Sequence, residues 1–180
     1  VLNPATRAML AMAIIIKIDS KGPLFFIQKR NGFNYKVFKC FKFRSMELNN
    51  EENKDLALIN NIKITKIGRF IRKTSIDELP QFFNVLWGDM SVVGPRPHPT
   101  SHNDKYALMT NNFIARHFVK PGITGLAQTK GYRGEVETEE DIVNRVKYDV
   151  FYLENWSILL DIKIIVNTLF KMLKGDEKAY

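Results

Sequence analysis

A proline at position 80 limits how the most distinctive stretch of this chain can fold. That stretch is TSIDELPQFFNVLWGDMSVVGPRP, residues 74–97. Ser75-x-x-Glu78 has the spacing of a capping box, in which two side chains satisfy helix-end amides. With Ser75 as N-cap, Pro80 falls at the fifth helical position, past the first turn where proline is tolerated. An N-cap at Asp77 moves Pro80 to the third position and sets the Asp77 carboxylate at the positive end of a helix dipole. Capping alone accounts for an aspartate there, so the acid pair has a structural reading beside a chemical one. In the chemical reading, Asp77 and Glu78 lie between Arg69 and Arg72 upstream and Arg96 downstream. A carboxylate among arginines stays ionised and can attack phosphorus or hold a divalent cation. Arg96 stands between Pro95 and Pro97, a stiff backbone that suits a guanidinium held ready for bidentate contact with phosphate. Arg69 and Arg72 read equally well as a solvated helix face.

The charge balance agrees with an anionic partner. Lys and Arg outnumber Asp and Glu by 27 to 19, which favours nucleic acid, an acidic membrane face or phosphorylated substrates. With 45% hydrophobic residues in 180, one core and one domain are expected. The single cysteine, Cys40, excludes an internal disulfide and reads as a small core residue in a strand pattern. His98, His102 and His117 lack metal-ligand spacing, so a zinc site is rejected. The chain starts at Val1 within structured-looking sequence and reads as part of a longer protein. No apolar run approaches the ~20 residues that span a bilayer. A signal peptide fits poorly, since no small-residue cleavage site precedes Lys17.

Residues 5–18 read as an apolar helix, either buried in a core or half of a membrane-inserted segment. Residues 19–23 (DSKGP) form a turn. Residues 24–29 and 35–43 read as two strands joined through Asn31-Gly32, a strong hairpin signal. Their interleaved basic and aromatic residues also suit a platform for single-stranded nucleic acid; a sheet with one buried and one solvated basic face is the plainer reading. Residues 47–61 form a polar, mobile loop. Thr138 and Asp141 mark a helix start, and that helix runs toward Asn155. Ser157 caps a last helix to about Lys174, whose wide apolar face edged by lysines suits a core or a membrane interface.

Five blocks together carry a resemblance: DSKGPLFFIQKR (19–30), FKCFKFRSM (38–46), IGRFIRKTSIDELPQFFNVLWGDMSVVGPRP (67–97), KPGITGLAQ (120–128) and YDVFYLENWSILLDIKII (148–165). In order and across nearly the whole chain, they resemble the bacterial sugar transferases, the single-domain polyprenyl-phosphate phosphoglycosyltransferases. The resemblance implies transfer of a sugar 1-phosphate from a UDP-sugar to undecaprenyl phosphate with release of UMP. It makes Asp77 the nucleophile, through a covalent phosphosugar-aspartate intermediate, and gives Glu78 a role in holding Mg²⁺. Lys42, Arg44, Arg72 and Arg96 match basic positions of that family's site, and Arg133 and Asp149 are assigned to it as well. The loop at 120–128 is the candidate for nucleotide contact.

The fold implied is α+β: a small membrane-associated domain with an N-terminal apolar helix of re-entrant type, a short β-hairpin and several amphipathic helices. Residues 1–18 would be the remaining half of a membrane-inserted helix and 19–180 the catalytic domain, at the cytoplasmic face of the bacterial inner membrane. Residues 131–135 (GYRGE) and 154–157 (ENWS) resemble the longer members that start exopolysaccharide repeats, which favours a hexose. Membrane lipids are expected partners, nucleic acid is not, and self-association stays open. A nucleic-acid-binding module built on 24–46, or an inactive membrane scaffold of the same fold, are the alternatives.

Overall fold

The computed structural model describes residues 4–47, 64–110, 112–134 and 136–174. The polar loop expected at 47–61 therefore lies, from residue 48 onward, outside the described residues. Helix α1 (Pro4–Asp19) leads into strand β1 (Phe25–Asn31), which pairs antiparallel with β2 (Val37–Phe43) from Phe25 opposite Phe43 to Asn31 opposite Val37. Asn31-Gly32 marks the hairpin but is not its two-residue turn. Residues Phe33–Tyr35 form a 3-10 turn instead, with Asn34 and Tyr35 at positive φ. Strand β2 buries Phe38 and Cys40, alternate positions that point to one face of a sheet, and Phe43 on the opposite face. The basic residues are not one solvated stripe, because Arg30 and Arg44 are themselves buried.

Helix α2 (Lys66–Lys73) is capped by Thr65, whose hydroxyl accepts from the Gly68 amide at 2.8 Å, satisfying one of the amides a helix start leaves free. Gly68 lies so close to the end of β2 that a Cβ there would overlap the Ser45 carbonyl. Ile71 of α2, Phe43 of β2 and Ile16 of α1 form one buried cluster, joined by Met9 and Met12. Past α2 the chain reverses at Ser75, in left-handed conformation at φ 57°, and Ile76–Glu78 make a single 3-10 turn. Helix α3 (Gln81–Leu86) begins only after Pro80, which occupies the N-cap position with no side-chain cap bond. The expected N-cap at Asp77 is thus corrected. The separate 3-10 turn and Pro80 delay the helix, leaving Asp77 unspent on helix amides.

Two three-residue strands escape a sequence reading. Strand β3 (Ser91–Val93) pairs in parallel with β4 (Gly122–Thr124). The pairing extends through the proline-flanked segment, where the Gly122 amide donates to Pro95 O at 2.9 Å and the Gly94 amide to Thr124 O at 2.9 Å. Helix α4 (Thr100–Met109) and a 3-10 segment (Phe113–Phe118) lie between them in sequence, and α5 (Leu126–Thr129) follows β4. Helix α6 (Glu139–Glu154) opens on the Thr138–Asp141 capping box, and α7 (Ile158–Lys174) follows Ser157, whose hydroxyl accepts from the Leu160 amide at 3.2 Å. Val93, Leu126, Tyr152 and Ile164 join β3, α5, α6 and α7 in one core; Tyr106, Phe113, Ile142 and Val146 form a second beneath α4. The architecture is α+β, with two separate two-stranded sheets among the described residues.

Large apolar side chains nevertheless face outward on several helices, among them Ile14 and Ile18 on α1, Leu86 on α3 with Trp87 just after it, Leu108 on α4, and Leu159 and Phe170 on α7. Among the described residues no helix is long and apolar enough to cross a membrane.

Candidate active site

The turn at Ile76–Glu78 carries both acids into the interior, where Asp77 and Glu78 are 8% and 6% exposed. Glu78 is the more heavily engaged. Its Oε1 accepts from Lys42 Nζ at 2.8 Å and Arg96 Nη2 at 2.7 Å, and its Oε2 accepts from Arg133 Nη2 at 3.0 Å. Four distant segments meet there: β2, the 3-10 turn, the segment after β3 and the loop before α6. Burial by itself raises a carboxyl pKa. The Arg96, Lys42 and Arg133 charges outweigh that at Glu78 and hold it well below the usual carboxylate range. Burial pulls the Lys42 ammonium down, opposed by Glu78.

Asp77 is in a different position. Its Oδ2 lies 3.9 Å from Lys42 Nζ, within Coulomb range but beyond hydrogen-bond length. Among the described residues its carboxylate accepts no hydrogen bond. Burial pushes its pKa up, Lys42 pulls it down, and the neighbouring Glu78 charge adds to the rise. The sequence suggested cations gathered around the pair; the structure gives them to Glu78 and leaves Asp77 uncommitted beside them. A desolvated carboxylate with free lone pairs, next to three fixed cations, is arranged for nucleophilic attack on a phosphoryl group.

Three buried or nearly buried arginines that the sequence reading did not single out hold the backbone carrying those cations. Arg116 Nη2 donates to Arg96 O at 2.7 Å, Arg30 Nη1 to Pro97 O at 2.7 Å, and Arg145 Nη2 to Gly134 O at 2.8 Å. Arg96 and Arg133 are therefore aimed by anchored main chain. The one signal available for Arg116 was a cation inside a run that is apolar apart from it and His117, FIARHFV (113–119). Asp149 belongs to this supporting layer. Its Oδ2 lies 2.7 Å from Arg116 Nη2 in a buried ion pair, both side chains 2% exposed. Burial raises the Asp149 carboxyl to about 6 against the pull of Arg116 and Arg145.

Of the residues expected at the site, Lys42, Asp77, Glu78, Arg96 and Arg133 come together. Asp149 stands behind Arg116. Arg44 turns away and donates through Nη2 to Ser20 O and Ser20 Oγ, tying β2 to the turn after α1. Arg72 lies half-buried in the basic last turn of α2, ahead of the reversal at Ser75. The loop at 120–128 contributes β4 and the start of α5, and Gln128 is buried there.

Among the described residues no cluster of three or more His, Cys, Asp or Glu side chains could cage a metal ion. The donors present are two carboxylates. Among the described residues Asp77 accepts no hydrogen bond and Glu78 Oε2 accepts one, so both keep lone pairs for a cation. That set fits Mg²⁺, which is commonly held by one or two carboxylates with its remaining positions filled by water and substrate phosphate.

The profile described as "Bacterial sugar transferase" matches residues 1–175. Among similar proteins, a UDP-glucose:undecaprenyl-phosphate glucose-1-phosphate transferase of Klebsiella pneumoniae is 52% identical over 91% of this chain and 35% of its own length. A UDP-N-acetylgalactosamine-undecaprenyl-phosphate N-acetylgalactosaminephosphotransferase of Aeromonas hydrophila is 41% identical over 93% of this chain and 39% of its own. The exopolysaccharide production protein PSS of Rhizobium leguminosarum bv. phaseoli is 41% identical over 89% of this chain and 83% of its own. The chain thus spans a little over a third of the first two relatives and most of the third. The match runs through the segments that bring Lys42, Asp77, Glu78, Arg96 and Arg133 together, and the chain belongs to the bacterial sugar transferase family.

Proposed function

We propose that this chain transfers a sugar 1-phosphate, with a hexose favoured, from a UDP-sugar to undecaprenyl phosphate, releasing UMP. The observation that carries the reading is the division of labour within the acid pair. Glu78 is locked among Lys42, Arg96 and Arg133, while Asp77 is buried, adjacent and uncommitted. In the first step an Asp77 oxygen attacks the sugar-bearing β-phosphorus. The bond from that phosphorus to the bridging oxygen breaks, its electron pair leaves on UMP, and an aspartyl phosphosugar remains. In the second step a phosphate oxygen of the acceptor attacks the same phosphorus and Asp77 departs as carboxylate. Neither step requires a net proton. Arg96 and Arg133 neutralise the charge that builds on the phosphoryl oxygens, and their anchored backbones spare reorganisation. Two displacements let a water-soluble donor and a membrane-bound acceptor react in turn. Mg²⁺, which Glu78 would hold, would supply further charge neutralisation on the diphosphate. The outward apolar faces of α1, α3 and α7 support seating on the cytoplasmic face of a bacterial inner membrane, where an interfacial helix buries one side in the acyl boundary.

The test is intact-protein mass after incubation with Mg²⁺ and UDP-glucose or UDP-galactose without acceptor. The expected result is a hexose-phosphate adduct with UMP release on the wild type and none on Asp77→Asn, whose fold is checked by its melting curve. An adduct retained by Asp77→Asn removes Asp77 as nucleophile.

A further inference from the structure

A cavity of about 290 Å³ lies beside Glu78 of the acid pair, bounded by α7 and the β3–β4 pair. Leu79, Val92, Ile123 and Ile165 contribute apolar wall, and Glu78 and Arg133 of the charged cluster line it as well. Phe82 of α3 and Leu169 of α7 also line it, and these are 47% and 55% exposed. The lining thus runs from the cationic cluster to the outward apolar faces of two helices. A ligand matching that polarity carries an anionic head and a hydrocarbon tail.

We propose that this cavity receives the phosphate-proximal part of the acceptor's prenyl chain, so that the acceptor phosphate reaches Arg133 and the phosphorus held on Asp77. The assignment rests on the transferase reading above and adds the place where the acceptor docks. The rival occupant is the donor's nucleoside. A base and ribose call for several fixed polar partners, whereas the buried unpaired atoms in this lining are few: Ser75 Oγ and Gln128 Oε1. Hydrocarbon fits the apolar wall better.

The two half-reactions separate the occupants. Leu169→Asp introduces a charge at an exposed position, where the fold tolerates it. Asn167→Asp, an exposed α7 residue outside the cavity, controls for the added charge, and co-sedimentation with liposomes reads membrane seating separately. Loading is read as the covalent adduct formed from UDP-glucose and Mg²⁺. Transfer is read as turnover with undecaprenyl phosphate in detergent micelles. Leu169→Asp is expected to load within about twofold of wild type and to lose about tenfold or more in kcat/KM for the acceptor, as removal of one leucine contact that the acceptor covers predicts. Asn167→Asp should transfer normally, and Leu169→Met should restore transfer. Equal losses in loading and transfer would assign the cavity to the nucleotide and overturn the proposal. So would unchanged transfer, an equal defect in Asn167→Asp, or a loss of liposome binding as large as the loss of transfer. A wild-type chain that never loads would instead refute the transferase reading beneath it.

Discussion

Asparagine at position 149 would strip the buried Arg116 of its counter-charge while leaving the side chain's shape nearly unchanged. Both partners are 2% exposed, so solvent offers Arg116 no replacement. Removing one member of a buried ion pair costs about 3–5 kcal/mol. For a domain of this length each kcal/mol lowers the melting temperature by about 2–4 °C, so Asp149→Asn should melt about 6–20 °C earlier. The second arm replaces both partners, Asp149→Leu with Arg116→Met. Arg116 is then no longer stranded, but the buried Arg145 still loses the pull of Asp149, so part of the melting temperature should return. Transfer should not return, because Arg96 O loses the Arg116 donor that holds it at 2.7 Å. Hydrogen bonds from charged groups contribute about 1.5–3 kcal/mol. Expressed wholly in the barrier, that is a loss of about 10- to 150-fold in rate. Calorimetry and UMP release on the same samples provide both readouts. A double variant that regains stability and full activity would show that Arg116 merely fills space, and an unshifted melt for Asp149→Asn would refute the ion-pair argument itself.

Glu78→Gln should destabilise the fold by leaving Lys42, Arg96 and Arg133 without their shared carboxylate, and should weaken the response of loading to Mg²⁺; an unchanged Mg²⁺ titration would contradict the metal role. The same variant tests a pH dependence. The Glu78 pKa is depressed from 4.5, so its stabilisation is present above that value and lost as pH falls through the folded one. The acid side of a melting-temperature profile should therefore flatten in Glu78→Gln. Loading should rise with pH as Asp77 ionises, at a midpoint above the ordinary 3.8, and Lys42→Met should move that midpoint higher by removing a neighbouring positive charge; a lower midpoint would show that Lys42 does not act on Asp77. Gly68→Ala should push α2 off the Ser45 carbonyl and lower the melting temperature, and an unchanged melt would show that α2 shifts freely.

Local signals were enough wherever neighbours in sequence settle the geometry. Thr138 with Asp141 announced α6, Ser157 announced α7, and alternation around Cys40 announced β2, because caps and strand faces are satisfied within a few residues. Cap reasoning failed at Asp77. The left-handed Ser75 and the 3-10 turn that displace the helix past Pro80 are sustained by packing against β2 and α2, which local propensity does not contain. Strands β3 and β4 were invisible because three residues carry no period, and their pairing joins positions some thirty apart.

The candidate site divides the same way. The residue types of an anion site and the order of the family's blocks are properties of the sequence alone, so Asp77, Glu78 and Arg96 were legible as a set. Which acid the cations hold was decided by the fold, since Lys42, Arg96 and Arg133 come from segments whose approach to Glu78 depends on the β1–β2 hairpin and the β3–β4 pairing. Arg44 illustrates the limit: it is basic and two residues from Lys42, yet the end of β2 turns it toward Ser20. Arg30, Arg116 and Arg145 were hidden for a related reason. They act by donating to main-chain carbonyls, an acceptor that every residue carries and no sequence pattern distinguishes.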